Sequence, residues 1–197
     1  MINKLIVMVL AFIASAAIAD QPETMELGGV KTPMVGEVDR FFSIPPTKYL
    51  VINSPGGYVT TAFAAVHHLR NMTCVVSYAA SAAWQILLPA CKERYYLPWA
   101  VTAFHSTHVD MYGPMNMWDT TDLAVALQET NIKMTNHMLS SGFPMGPKEF
   151  FKHLKEETVS RGKELDRFYP WIKPVSECNH CPLSWKRIKR HHKPQAN

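Results

Sequence analysis

Past Ala19 the sequence has no uninterrupted apolar run of the ~20 residues that a bilayer-spanning helix needs, no internal repeat and no extended low-complexity tract. Basic residues interleaved with aromatics are missing, and so is zinc-finger spacing, which removes the usual grounds for nucleic-acid binding. Cysteine is sparse, with four at positions 74, 91, 178 and 181. Glycine is scarcer than usual, nine in 197 residues, yet Gly56 and Gly57 stand side by side after Ser54-Pro55. Acidic residues number 16 against 20 basic ones, and the excess is uneven, since Lys186, Arg187, Lys189, Arg190 and Lys193 crowd the end. Such a run reads as a solvated tail, with weak attraction to anionic surfaces as its alternative.

With 47% hydrophobic residues in 197, the chain suits one compact domain with terminal extensions. The opening MINK precedes an apolar run from Leu5 to Ala19, and Ala17-Ile18-Ala19 forms a small-x-small site before Asp20. This pattern predicts a secretory signal peptide over residues 1–19, and hence a secreted or periplasmic protein. The alternative is an uncleaved anchor. Export permits disulfides. Cys178 and Cys181 form a C-x-x-C that reads as a local disulfide, or as half of a zinc site with His180, His191 or His192. Cys74 and Cys91 stand in apolar surroundings and read as inert core residues.

Periodicity predicts an alternation of strands and helices. Met25–Val30 reads as a short strand ended by Gly28-Gly29, and Met34, Val38, Phe41 and Phe42 recur at helical spacing. Tyr49–Asn53 is a strand, Val59–Arg70 a helix, Thr73–Tyr78 a strand and Ala79–Cys91 an alanine-rich buried helix; short strands follow at Tyr95–Leu97 and Val101–His105. A long helix over Thr120–Leu139 and a shorter one from Pro147 complete the pattern. Strand and helix in turn imply right-handed βαβ crossovers and a mainly parallel sheet, whose ligands sit where strands run out into helices.

Three fragments fall at such ends: INSPGG at 52–57, AASAAW at 79–84, and RYYLP at 94–98 followed by His105. A serine entering a helix is a potential nucleophile, although most such serines are plain N-caps. Small neighbours on both sides of Ser81 leave room for a substrate backbone. A histidine at a strand end is a potential base, and a glycine turn offers bare N–H groups to an oxyanion. Together the fragments outline a serine hydrolase site.

The same residues resemble the proteolytic subunit of the Clp protease, peptidase family S14, of the ClpP/crotonase fold. Ile52–Gly57, Ala79-Ala80-Ser81, Arg94, Leu97-Pro98 and His105 carry the resemblance, which extends more loosely over residues 25–170. It implies an α/β superhelix of βαβ units, with a mainly parallel sheet and surrounding helices, over 20–172, followed by a basic, cysteine-bearing tail at 173–197. It also implies Ser81 as nucleophile, His105 as general base and then acid, and the N–H groups of Gly57 and Ala82 as oxyanion hole. For the third triad member, ungapped spacing points to Glu157, while the local run Asp166-Arg167-Phe168 offers Asp166. No metal and no cofactor are implied. Ring assembly through the helix at 120–139 is expected, with Met111, Tyr112, Met115, Met117 and Trp118 beside it.

The sequence departs from the family at Ser77 and Ala83, where glycines are usual, and at the bulky Trp84, and these changes together are expected to narrow the specificity pocket. Without the family's cytosolic ATPase partner, which export excludes, the expected substrates are peptides or unfolded chains. Two competing readings share the fold: an inactive binding scaffold and a crotonase-type enzyme acting on acyl thioesters. A serine–lysine dyad with Lys31 or Lys92 lacks a recognisable context.

Overall fold

A computed structural model describes residues 26–27, 30–31, 34–35, 38, 48–108, 116–182 and 185. The segment read as a signal peptide, Met111, Tyr112 and Met115, His191 and His192, and the terminal basic run lie outside these residues. No helix among the described residues is long and apolar enough to cross a membrane.

Strands β1 (Glu26–Leu27) and β2 (Val30–Lys31) pair antiparallel, Glu26 with Lys31 and Leu27 with Val30. The main sheet follows the order β3 (Met34–Val35), β4 (Tyr49–Ser54), β5 (Thr73–Ala80), β6 (Glu93–Ala103) and β7 (Val159–Arg161), and β8 (Lys173–Pro174) also pairs with β6. The pairs from β3 through β6 and the β8 pair are parallel; β7 alone is antiparallel. Helix α1 (Val59–Leu69) crosses from β4 to β5. After β5, a π-helical stretch, Ala83–Leu87, runs into the short α2 (Leu88–Ala90). Helix α3 (Met117–Ser140) is followed by α4 (Pro147–Lys155), and 3-10 turns occupy Gly162–Phe168 and Val175–Glu177.

Four expectations change in detail. Met34–Val35, read as the start of a helix, is extended and pairs with Ile52 and Asn53, because the open edge of β4 supplies backbone partners that local periodicity does not register. Strand β5 continues through Ala80, so the helix begins beyond Ser81 rather than at Ala79. The two short strands expected at 95–97 and 101–105 are one strand: its register against β5 jumps from Val76↔Tyr96 to Tyr78↔Val101, which accommodates the extra residues around exposed Pro98. Finally, α3 starts at Met117 because Asn116 closes a capping box, its side chain accepting from the Trp118 and Asp119 N–H groups while Asp119 accepts from the Asn116 N–H.

A parallel sheet has two faces to bury. One packs against α1, the π-helical stretch and α3, around Leu50, Ile52, Val76, Trp84, Phe104 and Phe168. On the other, Val51, Val75, Tyr95 and Leu97 are covered by Val175, Cys178, Cys181 and Trp185. The described part of the segment read as a tail is therefore the second cover of the sheet. Cys74 and Cys91 are buried as expected and bonded to each other, and Cys178 is bonded to Cys181.

Candidate active site

Strand β5 ends in a turn at Ser81, whose φ of 52° is left-handed and uncommon for a residue with a side chain. Its N–H donates to Ala103 O of β6 at 3.2 Å, and its carbonyl accepts from Trp84 N–H at 3.1 Å and Gln85 N–H at 2.8 Å. Strand β5 and the helical stretch thus clamp the turn from both sides. Ala82 and Ala83 precede the first N–H groups that find a helical acceptor, so their N–H groups stand at a helix start without intrahelical partners.

The diglycine turn closes on this serine. A Cβ placed on Gly56, at φ 102°, would lie 2.6 Å from Ser81 Cβ and 2.8 Å from Ala80 O, so only glycine permits the approach. Ser54 Oγ accepts from Gly56 N–H at 3.1 Å, and Gly56 O accepts from Val38 N–H at 2.8 Å, which anchors the turn from both sides. Gly57 is exposed, and among the described residues no turn hydrogen bond occupies its N–H.

His105 follows the end of β6 and is partly buried. Its N–H donates to Gln85 Oε1 at 3.3 Å, and its Nδ1 lies 2.8 Å from Ser106 O. A carbonyl only accepts, so this contact requires the proton on Nδ1 and leaves the Nε2 lone pair free to act as a base. The His108 ring lies 5.3 Å from the His105 ring. Among the described residues, no hydrogen bond joins Ser81 to His105.

The antiparallel register of β6 and β7 pairs Thr102 with Ser160 and Ala103 with Val159, and the Phe104 N–H continues it by donating to Thr158 O at 2.9 Å. His105 lies two residues beyond the end of β6 and Glu157 two residues before the start of β7, at the same end of this strand pair. Glu157 is exposed and has a φ of 49°. Asp166 goes elsewhere: its carboxylate accepts from the Tyr96 hydroxyl, on the half of β6 that precedes the register jump. Burial, followed by this carboxylate, raises the Tyr96 pKa, which keeps the phenol protonated as the donor.

Trp84 does not border a substrate pocket. It is wholly buried, edge-on to Phe104 and Trp171, and Ala83 is buried beside it, so the extra bulk after the serine fills core rather than narrowing a cleft. Arg94 braces the end of the helical stretch, donating to Leu88 O at 3.0 Å and Pro89 O at 2.7 Å while its guanidinium lies over the Trp171 ring. Burial lowers its pKa to about 10. A cavity of ≈ 330 Å³ lined by Lys92, Arg94, Trp171 and Lys173 lies at the opposite, starting end of β6, away from Ser81.

Gly56-Gly57, Ser81, His105 and Glu157 therefore stand at adjoining ends of β4, β5, β6 and β7. The sequence model of the Clp protease family matches residues 46–158, more than half of the chain. This chain belongs to the Clp protease family. The α/β architecture with its mixed sheet agrees with the ClpP/crotonase-like fold. No curated protein matches the chain. The matched Clp protease segment takes in the diglycine turn, Ser81, His105 and Glu157, and ends before Asp166.

Sequence reasoning missed Gln85. It is the one polar residue in the run Ala82–Pro89 and is 1% exposed, with its backbone holding the serine turn and its side chain holding the histidine backbone. A lone glutamine four residues after a candidate nucleophile, inside an apolar helix, was the available signal.

Proposed function

We propose that this chain is an exported serine peptidase that cleaves peptides or unfolded chains through an acyl-enzyme on Ser81. The observation that carries the reading is the close approach of the Gly56 turn to a left-handed Ser81 at the strand end next to His105. A serine forced into that conformation costs about 1–3 kcal/mol, and the strain projects its hydroxyl out of a sharp strand-to-helix turn.

In this mechanism His105 Nε2 takes the Ser81 proton as Oγ attacks the scissile carbonyl, and the Gly57 and Ala82 N–H groups receive the oxyanion. The imidazolium then returns the proton to the leaving amine, and water, deprotonated by the same nitrogen, releases the acyl group. Ser106 O fixes the tautomer. Glu157, across the strand pair, supplies the negative charge that stabilises the imidazolium, in preference to Asp166, whose carboxylate is committed to Tyr96. The reaction needs neither metal nor cofactor. Clp-like assembly into homo-oligomers is part of the proposal, whereas a nucleic-acid ligand and a cytosolic ATPase partner are not.

The test is fluorophosphonate labelling of residues 20–197, comparing wild type with Ser81→Ala and His105→Ala. Labelling of wild type alone is the expected result. A folded, assembled wild type that stays unlabelled points to the second reading, a binding scaffold without catalysis; that reading draws support from the lack of any hydrogen bond among Ser81, His105 and Glu157. Secretion is checked separately, by whether the exported chain begins at Asp20.

A further inference from the structure

The loop Cys178-Asn179-His180-Cys181 lies on the sheet face opposite α1 and α3, and the peptidase reading makes no use of it. We infer that, once its disulfide is reduced, this loop is a Zn²⁺ site in which Cys178 and Cys181 thiolates and His180 Nδ1 are the protein ligands, with Glu93 orienting the imidazole.

Among the described residues this is the one group of three whose ligand atoms approach as a metal requires, all within 4.8 Å of one another. Zinc–sulfur and zinc–nitrogen bonds of 2.0–2.3 Å place tetrahedral ligands roughly 3.5 Å apart, a distance that opening the S–S bond and small side-chain rotations provide. The imidazole is already held on one ring nitrogen. His180 Nε2 lies 2.9 Å from Glu93 Oε2 and 3.3 Å from Thr73 Oγ1, and the Tyr49 hydroxyl donates to the His180 carbonyl. A carboxylate on one ring nitrogen is the support that metal-binding histidines generally have, and it leaves the other nitrogen as ligand. His180 is exposed, so water can fill the fourth position.

The two disulfides differ in what they do for the fold. Cys74–Cys91 bridges 17 positions within the core, whereas Cys178–Cys181 bridges three. So short a loop removes little entropy from the unfolded chain. The loop also has anchors that do not depend on the bond, because β8 pairs with β6 just before it and Val175 and Trp185 are buried on either side. It therefore stays in place when the bond is opened.

The redox step balances with a protein dithiol as reductant. The S–S bond breaks, two electrons and two protons reach the Cys178 and Cys181 sulfurs, and the reductant leaves as its own disulfide. Zinc then takes both sulfurs as thiolates and releases two protons.

The experiment uses the full chain, oxidised or reduced with a phosphine, which becomes its oxide with oxygen from water, and titrates it with Zn²⁺ against a chromogenic chelator. Expected are one zinc per reduced chain, none per oxidised chain, and a thiolate-to-metal charge-transfer band when Co²⁺ replaces zinc. Glu93→Gln, a substitution at a partly exposed residue, lowers zinc affinity about 10- to 100-fold, and His180→Ala lowers it at least as much. The inference is overturned if the reduced chain, folded by circular dichroism, takes up no zinc. It is equally overturned if uptake survives in Cys178→Ser or Cys181→Ser, which assigns the metal to Cys74 and Cys91, or if Glu93→Gln leaves the affinity unchanged. None of these readouts depends on peptidase activity.

Discussion

At the scale of single residues, Gln85 is the part of the site with the clearest division of labour. Its backbone N–H holds the serine turn at 2.8 Å and its Oε1 holds the His105 N–H at 3.3 Å, while its buried Nε2 has no partner among the described residues. An unpaired buried amide costs about 1–3 kcal/mol, a penalty that an apolar side chain would avoid. Gln85 thus ties the Ser81 turn to His105, the nucleophile and base of the proposed mechanism, and acts there as a positioning residue. Gln85→Met, which keeps the volume and loses the acceptor, should cut the fluorophosphonate labelling rate on the order of 10²-fold with little change in thermal stability, since small misplacements of reacting groups have effects of that size. Gln85→Glu keeps an acceptor oxygen and should recover much of the rate. Equal rates for wild type and Gln85→Met would reduce the residue to core filling.

Helix α3 connects the site to the rest of the molecule at the scale of elements. At its buried end, His137 Nε2 lies 2.9 Å from Ile86 O, on the helical stretch that follows Ser81. Burial is the main influence on His137 and lowers its pKa below 6.5. The sign follows directly. Above about pH 6.5 both states are neutral there and the folded state keeps its full stability; as pH falls below it, the unfolded chain takes up a proton first and stability is lost. Urea midpoints between pH 7 and 5 should therefore fall more steeply in wild type than in His137→Gln; parallel curves would contradict this. At the other end, Trp118, Val125 and Ile132 recur every seven residues and are 71%, 50% and 41% exposed, an apolar stripe along one side of the helix. If that stripe seats a second copy of the chain, as the Clp-like reading requires, Trp118→Glu with Val125→Glu should shift the sedimentation profile to monomer while leaving the circular dichroism spectrum intact. An unchanged oligomer would place the assembly contact elsewhere.

For the whole molecule, the Cys74–Cys91 bond joins the start of β5 to the turn before β6, at the end of the sheet opposite Ser81 and His105. Closing 17 positions stabilises the fold by about 3 kcal/mol on the chain-entropy account. Cys74→Ala with Cys91→Val should lower the unfolding free energy by roughly that amount, read from denaturant curves, whereas Cys178→Ser with Cys181→Ser should cost much less. Equal losses would mean that the short loop is as structural as the long one.

Much of this was legible in residue order. Tyr49–Asn53, Val59–Arg70 and Thr73–Tyr78 carry unmixed strand or helix patterns, and INSPGG, AAS and His105 sit at their ends, so the α/β class and the candidate residues could be read directly. Local pattern does not report what a backbone pairs with. Met34–Val35 has helical spacing but meets an open strand edge, the join of 95–97 to 101–103 depends on a register jump against β5, and Trp84 reads as a pocket residue until Phe104 and Trp171 close around it. Sequence alone determined the chemistry available, namely a serine between alanines, a paired-glycine turn, a histidine and two candidate carboxylates. Tertiary structure decided which strand ends adjoin: the antiparallel return of β7 brings Glu157 to the end of the sheet that carries His105, while the chain beyond it carries Asp166 back to Tyr96. Strand register is a long-range hydrogen-bonding choice, made only when both strands are in place.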